Sequence, residues 1–373
     1  MKIFIFHATA GYGHKKVAEV IAKAFHDRGL TAAEVKVEDS LFSTSPFFSK
    51  VYPGLYYYSV KHLPKLWGWS YETFDHPGAY AWIKPFRSLI NRMEGRDLIR
   101  RMQQEHPDHI ICTHFFTAEL FARAKREGKI NAILTTVITD FLPHTFWVNE
   151  GTDFYWVMSE ESKNNLKKRG VSEEKIVAGG IPVDPVFQPM GRKQEILSKW
   201  GFSQDRFTLL LTSGSFGLGP QEGILRALES FSGRVQCFVV CGNNQRLEKR
   251  LEAQKFSYPV KVLGFVDFMP ELMEASDLII AKSGGATTVE SLAKGVPMVV
   301  VHPIPGQERR NADYLKEKNA SFFMQEAEQI QPIMKTIFEN PEILENKKKI
   351  IHAIAKPHAA EDLVSFILDQ TRK

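Results

Sequence analysis

The segment Lys282-Ser283-Gly284-Gly285-Ala286-Thr287-Thr288-Val289-Glu290 follows the apolar run 278–281 and opens a helical stretch. Glycines at a strand-to-helix junction leave backbone N–H groups free to face an anion, and the helix dipole adds to the attraction. Thr287 and Thr288 could add hydroxyl donors to a phosphate. Glu290 lies about one turn further in, where a carboxylate can accept two hydrogen bonds from a vicinal diol such as a ribose. A tight turn and an ordinary helix-start acid would use the same residues.

The pattern recurs along the second half. Pro303-Ile304-Pro305-Gly306-Gln307-Glu308 again follows an apolar run, and the amide of Gln307 and carboxylate of Glu308 suit hydrogen bonding to sugar hydroxyls. Ser213-Gly214-Ser215 makes another N–H-rich turn. Cys241-Gly242-Asn243-Asn244 and Gly264-Phe265-Val266 stand at the remaining run ends. Five such loops at the carboxyl ends of predicted strands point to a nucleotide-diphosphate ligand.

In the first half, His14 follows Gly11-Tyr12-Gly13 at the first strand-to-helix junction. A helix N-terminus disfavours the imidazolium, so a neutral His14 could act as a general base on a hydroxyl. A capping or packing histidine is the other reading. Asp140, after Val137-Ile138-Thr139, could orient that base, bind a hydroxyl, or simply cap a loop. His114 and His144 read as structural. A dinucleotide fingerprint at Gly11 fits less well, because Lys16 stands where Gly or Ala is required. Gly-x-Ser-x-Gly, Walker and His-Glu-x-x-His motifs are not found.

Parallel strands alternating with helices must position these groups. Strands are predicted at 2–8, 31–39, 110–113, 132–138, 154–158 and 175–178, then at 207–212, 235–241, 260–263, 278–281 and 297–302. The expected fold is α/β, two Rossmann-like domains facing across a cleft. Residues 1–186 form the first, with an insert at 42–92, and 187–355 form the second. The Pro-rich stretch 182–189 is the linker. Residues 356–373 read as a final helix that could pack back on the first domain.

The composition permits this. The 373 residues are 43% hydrophobic and 24% charged, which excludes a disordered chain. A net charge of +5 does not mark a nucleic-acid binder, and none is expected as a partner. Three cysteines, Cys112, Cys237 and Cys241, make no disulfide framework and favour a reducing compartment. The longest uncharged run, 207–221, is interrupted by Ser, Gly and Pro, so a bilayer-spanning helix is not expected. The insert at 42–92 carries 14 aromatics, six Lys/Arg and two acids. Amphipathic aromatics with positive charge suit an anionic lipid surface, and an aromatic insert packed on the core suits them equally.

The motifs His7-x-x-Ala-Gly-Tyr-Gly-His14, Thr139-Asp140-Phe141, Gly179-Gly-Ile-Pro182, Ser283-Gly-Gly-Ala-Thr-Thr-Val-Glu290 and Pro305-Gly-Gln-Glu308-x-x-Asn311 run in this order along the chain. Together they resemble the monogalactosyldiacylglycerol synthase and processive diacylglycerol glucosyltransferase group of glycosyltransferase family 28. The resemblance implies a GT-B fold and inverting transfer of a hexose from UDP-glucose or UDP-galactose to diacylglycerol. It implies a base at His14 with Asp140 nearby and a ribose ligand at Glu290. Diphosphate loops fall at Ser213-Gly214-Ser215 and Ser283-Gly284-Gly285-Ala286-Thr287, with Thr288 beside them. Uracil contacts fall at Gly264-Phe265-Val266 and sugar contacts at Gln307 and Glu308; Gly13, Gly242 and Asn244 complete the UDP-sugar set. Another lipid-linked or small acceptor, a UDP-sugar epimerase and a nucleotide-sugar-binding regulator remain as alternatives. No cofactor and no obligate metal are implied, and the expected location is peripheral, on the cytoplasmic face of an anionic membrane. The phosphate loop reads Ser-Gly-Gly-Ala-Thr-Thr rather than the Ala-Gly-Pro-Gly-Thr associated with galactosyl enzymes, which leaves the sugar open.

Overall fold

A computed structural model describes residues 1–9, 12–212, 214 and 219–371, apart from the side chains of Tyr12, Tyr56, Tyr57 and Lys61. Chain order begins with β1 (Ile3–His7), α1 (Tyr12–Asp27) and β2 (Val35–Asp39). Four helices follow: α2 (Pro46–His62), α3 (Pro64–Asp75), α4 (Pro77–Glu94) and α5 (Arg96–Glu105). Then come β3 (His109–Cys112), α6 (Phe115–Arg126), β4 (Ile133–Val137), β5 (Phe154–Trp156), α7 (Glu160–Lys168) and β6 (Ile176–Val177). The remainder opens with α8 (Lys193–Lys199), β7 (Phe207–Thr212), α9 (Gln221–Ala227), β8 (Val235–Val240), α10 (Gln245–Glu252) and β9 (Val260–Leu263). It continues with α11 (Met269–Ala275), β10 (Leu278–Ala281), α12 (Gly285–Lys294), β11 (Met298–Val301), α13 (Gln307–Glu317) and β12 (Ser321–Met324). Three helices close the chain: α14 (Ile330–Glu339), α15 (Glu342–Ile354) and α16 (Ala359–Thr371).

The chain divides into two compact units. Unit 1 is Met1–Asp184 with Ile304–Arg310 and His358–Lys373; unit 2 is Pro185–Pro303 with Asn311–Pro357. Each unit is built on one six-stranded sheet of wholly parallel pairs, so both are Rossmann-like α/β bodies. Strands such as β1, β3, β8, β10 and β11 are buried along their whole length, as parallel strands covered on both faces require.

Unit 1 has the strand order β2-β1-β3-β4-β5-β6. Its order reverses between β1 and β3, which puts the favoured ligand position beyond the carboxyl ends of those two strands. Unit 2 runs β12-β11-β10-β7-β8-β9. From its other edge this is 3-2-1-4-5-6 in the unit's own strand count, the dinucleotide-type order, with its switch between β7 and β10. The sequence reading contains no counterpart of β12. Ser321–Met324 is a four-residue edge strand that pairs only with β11, too short to show a period.

The insert is three consecutive helices, α2, α3 and α4, each with proline in its first turn. Ser45 caps α2 by accepting from the Phe48 N–H. One side packs onto unit 1: Phe48 lies 5.7 Å from Phe116, and Arg87 pairs with Glu119, which also accepts from Asn91. The Arg87 guanidinium sits 4.3 Å above the Phe146 ring. The other side is apolar and open. Of the 16 large hydrophobic side chains exposed among the described residues, 12 fall between Phe42 and Met93, with Phe42 and Trp82 each 88% exposed. No helix among the described residues is long and apolar enough to cross a membrane.

Helix α3 also packs against the turn that precedes α13. A Cβ on Gly68 would collide with that of Pro305, and Gly306, at φ +99°, lies against Tyr71 and Trp67. A side chain at Gly68 must therefore push the turn away. Gly68→Leu is expected to destabilise unit 1 by about 1–3 kcal/mol. Limited proteolysis should then cut faster within the insert; an unchanged pattern and melting temperature would contradict this packing.

Candidate functional site

His14 occupies the first turn of α1, beyond the carboxyl end of β1. Its Nδ1 is 2.7 Å from the Thr113 carbonyl oxygen, one residue past β3. A carbonyl only accepts, so Nδ1 carries the hydrogen and Nε2 of the neutral ring carries the lone pair. The Thr139 hydroxyl lies 3.1 Å from the same Nδ1. Burial pushes the His14 pKa down to about 4; the Thr113 hydrogen bond opposes this and the charge of His7 adds to it. The ring is therefore neutral at pH 7, and burial is the leading cause where the sequence suggested the helix N-terminus. The His114 ring meets His14 edge-on at 4.7 Å. His114 itself caps α6, accepting from the Phe116 N–H, and His144 donates to the Tyr71 carbonyl, so both are structural.

Asp140 lies three residues past β4 and is buried. Trp147 Nε1 donates to one carboxylate oxygen at 2.7 Å, and the Gln307 amide donates to the other. Burial raises the pKa to about 6, against the lowering effect of both hydrogen bonds and of Arg310. Asp140 makes no hydrogen bond to His14; the Thr113 carbonyl orients that ring, and the expectation that Asp140 could orient the base is corrected. Glu308 closes its own turn by accepting from the Ile304 N–H at 2.9 Å. Gln307 and Glu308 thus belong to unit 1, and Gln307 reaches Asp140 there.

The sequence reading did not single out Asp75. Its Oδ2 accepts from Arg169 and Arg310, each at 2.8 Å, and its Oδ1 accepts from the Thr145 N–H at 2.8 Å. Burial would raise its pKa, but Arg169, the neighbouring His144, Arg310 and Thr145 together hold it well below the usual carboxylate range. Arg310 is one helical turn past Gln307, so Asp75 ties the insert to the turn that presents Gln307. A signal was available: Glu72 and Asp75 are the only acids in a basic segment, spaced to share a helix face, and both meet Arg310.

In unit 2 the candidate loops follow the carboxyl ends of parallel neighbours. Gly214, with φ +68°, follows β7; Ser213 and Ser215 lie outside the described residues. Gly242 follows β8 with φ +58°, and Asn244 caps α10 by accepting from the Leu247 N–H at 3.0 Å. Gly264, Phe265 and Val266 follow β9, with the Phe265 ring exposed. Gly284 stands at the N-cap of α12 with no side-chain cap, so the N–H groups of Gly285, Ala286 and Thr287 are left for a ligand. Ser283 is fully buried and its carbonyl accepts from Asn311 at 2.8 Å, which fixes the loop. Glu290 is half-buried in the second turn of α12. The Thr288 hydroxyl is buried with no hydrogen-bond partner among the described residues, and Thr287 is half-buried.

Comparison with known proteins agrees with this architecture. Residues 14–183 match the family model "Monogalactosyldiacylglycerol (MGDG) synthase", and residues 210–363 match "Glycosyltransferase family 28 C-terminal domain". A processive diacylglycerol beta-glucosyltransferase from Bacillus pumilus is 28% identical over 374 residues, covering 99% of this chain and 95% of the relative. Its namesake from Bacillus cytotoxicus is 29% identical over 376 residues, with 99% and 94% covered. Among solved structures, MurG of Acinetobacter baumannii superposes with a TM-score of 0.66 at 17% identity, covering 99% of both chains. That likeness identifies the fold as GT-B. With family matches over both sheets and relatives aligned end to end, the chain belongs to the monogalactosyldiacylglycerol synthase and processive diacylglycerol glucosyltransferase group of glycosyltransferase family 28.

Proposed function

We propose that the protein is an inverting hexosyltransferase that moves glucose from UDP-glucose to the free hydroxyl of diacylglycerol, leaving a β-glucosyl diacylglycerol and UDP. The observation that carries the chemistry is the His14 Nδ1 hydrogen bond to the Thr113 carbonyl, which leaves Nε2 as a basic nitrogen beyond the unit 1 switch point. Nε2 takes the acceptor's proton as its oxygen attacks the anomeric carbon, and the bond from that carbon to the diphosphate breaks. The relatives named diacylglycerol beta-glucosyltransferases support glucose and diacylglycerol.

Charge grows on the departing diphosphate. In this reading the uncapped N-terminus of α12 and the loop at Gly214 meet it with N–H groups, and Glu290 holds the ribose. Phe265 and its neighbours face the uracil. Asp140, Gln307 and Glu308 hold sugar hydroxyls, and a bound metal is not required. His14→Ala is expected to lower kcat by about 10²–10⁴-fold. UDP affinity should stay unchanged by calorimetry, with the assay run in chelator; near-normal turnover would remove His14 as the base.

Asp140 gives a pH signature. With its pKa raised to about 6, it takes up a proton as pH falls through 6, and an acceptor for Trp147 or Gln307 is lost. His14 stays neutral until about pH 4. The kcat/KM profile of the parent should therefore fall on the acid side near pH 6, and Asp140→Asn should abolish that limb, leaving only the one near 4. An identical acid limb in Asp140→Asn would show that Asp140 does not set it.

The open apolar side of the insert, with exposed Lys50, Lys65 and Lys84, docks on an anionic bilayer, peripherally on the cytoplasmic face. Phe48 and Tyr52 on α2 continue from this surface to the His114 ring, 6.3 Å from Tyr52, and so toward His14. Trp82→Ala with Phe86→Ala should weaken vesicle sedimentation by about tenfold. UDP binding should be unaffected; equal sedimentation of variant and parent would place the membrane contact elsewhere.

A further inference from the structure

Asp75 is the last residue of α3 and one of two acids in the basic insert. Its two carboxylate oxygens go to two different turns of unit 1. Oδ1 accepts from the Thr145 N–H and Oδ2 from Arg310, each at 2.8 Å. Thr145 opens the short helical turn Thr145–Trp147, and Arg310 lies one helical turn past Gln307. Trp147 and Gln307 are the residues whose side chains donate to the two oxygens of Asp140. One carboxylate therefore holds both of the turns that hold the other.

Both turns are braced well enough to pass this on. In the first, the Trp147 N–H donates to the His144 carbonyl at 3.0 Å and the Phe146 N–H to His144 Nδ1 at 3.1 Å. His144 Nε2 donates in turn to the Tyr71 carbonyl of α3. In the second, the Ile304 N–H donates to Glu308 at 2.9 Å and the Arg310 N–H to the Gly306 carbonyl at 3.1 Å. The joint is shielded as well: the side chains of Asp75, Arg169 and Arg310 are at most 15% exposed. Apolar residues would join α3 to these turns with less desolvation cost. A charge-assisted joint adds direction, because each donor must meet its own oxygen.

We propose that Asp75 is the positioning residue of Asp140: through the turns at 145–147 and 304–310 it sets the two donors that fix the orientation of that carboxylate. The inference rests on the reading that Asp140 and Gln307 hold sugar hydroxyls, and adds to it the group that aligns them. Asp75 itself touches neither Asp140 nor the sugar in this scheme. Release of Asp75 frees Arg310 and Thr145 together, so both donors to Asp140 drift at once. A carboxylate that has lost its donors is harder to keep charged in a buried place. Arg310 is the charged side chain that bears on Asp140, and His14 and His144 take up a proton only near pH 4, so neither titrates with it.

The test is a pH titration of the Trp147 indole N–H resonance by NMR of the tryptophan-labelled full chain, assigned with Trp147→Phe. That N–H donates to Asp140, so its shift follows the carboxyl's proton. The parent should show a midpoint near pH 6. Asp75→Asn should raise it by about one pH unit, the size of one lost hydrogen bond to a charged group. Arg310→Lys keeps the charge but not the fork, frees one turn only, and should raise it less. The direction is decisive. Loss of the Asp75 charge alone, or looser packing that admits water, would lower the midpoint. Melting temperature reports which variants fold, and Arg310→Lys carries the test if Asp75→Asn does not. A midpoint that stays or falls in a folded variant overturns the proposal. In turnover, Asp75→Asn should raise KM for UDP-glucose severalfold with UDP affinity unchanged. A raised midpoint with unchanged KM would contradict Asp140 as a sugar ligand and leave its positioning by Asp75 in place. The titration needs no turnover, so a parent that titrates as expected yet makes no glucolipid contradicts the transferase reading alone.

Discussion

A single hydrogen bond decides what the first sheet can do. Imidazole accepts a proton only when it is neutral and its free nitrogen points where the proton is. Burial keeps His14 neutral, and the Thr113 carbonyl claims Nδ1, so the lone pair is confined to Nε2. That carbonyl is available because β3 ends at Cys112, one residue earlier, and its ladder no longer needs it. Sheet topology, strand length and base chemistry therefore converge on one atom pair. The hydrogen bond is also expensive to misplace, since a buried ring with the wrong tautomer would leave two polar groups unmatched.

A second constraint holds the insert to the turn that carries Gln307. Asp75 at the end of α3 binds Arg169 on one side and Arg310 on the other, while Gly68 and Gly306 allow the insert and the turn at 304–310 to touch at backbone distance. Gln307 is carried by the same turn and reaches Asp140. The insert thus exposes an apolar surface on one side and supports the turn that carries Gln307 on the other. Its two acids, an apparent exception in a basic segment, are what tie it to Arg310.

Much of this was legible in the residues. The bounds of β7, β9 and β10 follow from apolar runs ended by Ser213, Gly264 and Lys282, and the two Rossmann-like units follow from their alternation with helices. His14 was legible as a candidate base because its local setting, a glycine turn before a helix, is written in consecutive residues. Its partner was not, since Thr113 is 99 positions away. The Asp75–Arg310 pair spans 235 positions and was missed for the same reason. The number of helices in the insert was hidden by chemistry: residues with apolar character on both faces mask the 3.6-residue period that would mark them. Asp140 was found, but its choice of Trp147 and Gln307 over His14 is decided by packing alone.

The central claim is the protonation state and tautomer of one ring, and nitrogen-detected NMR of histidine-labelled protein reads both directly, with His14→Ala to assign the resonance. The account predicts a neutral His14 with its hydrogen on Nδ1 throughout the physiological range, gaining a second proton only near pH 4. A His14 that carries its hydrogen on Nε2, or that is protonated at pH 7, would contradict it.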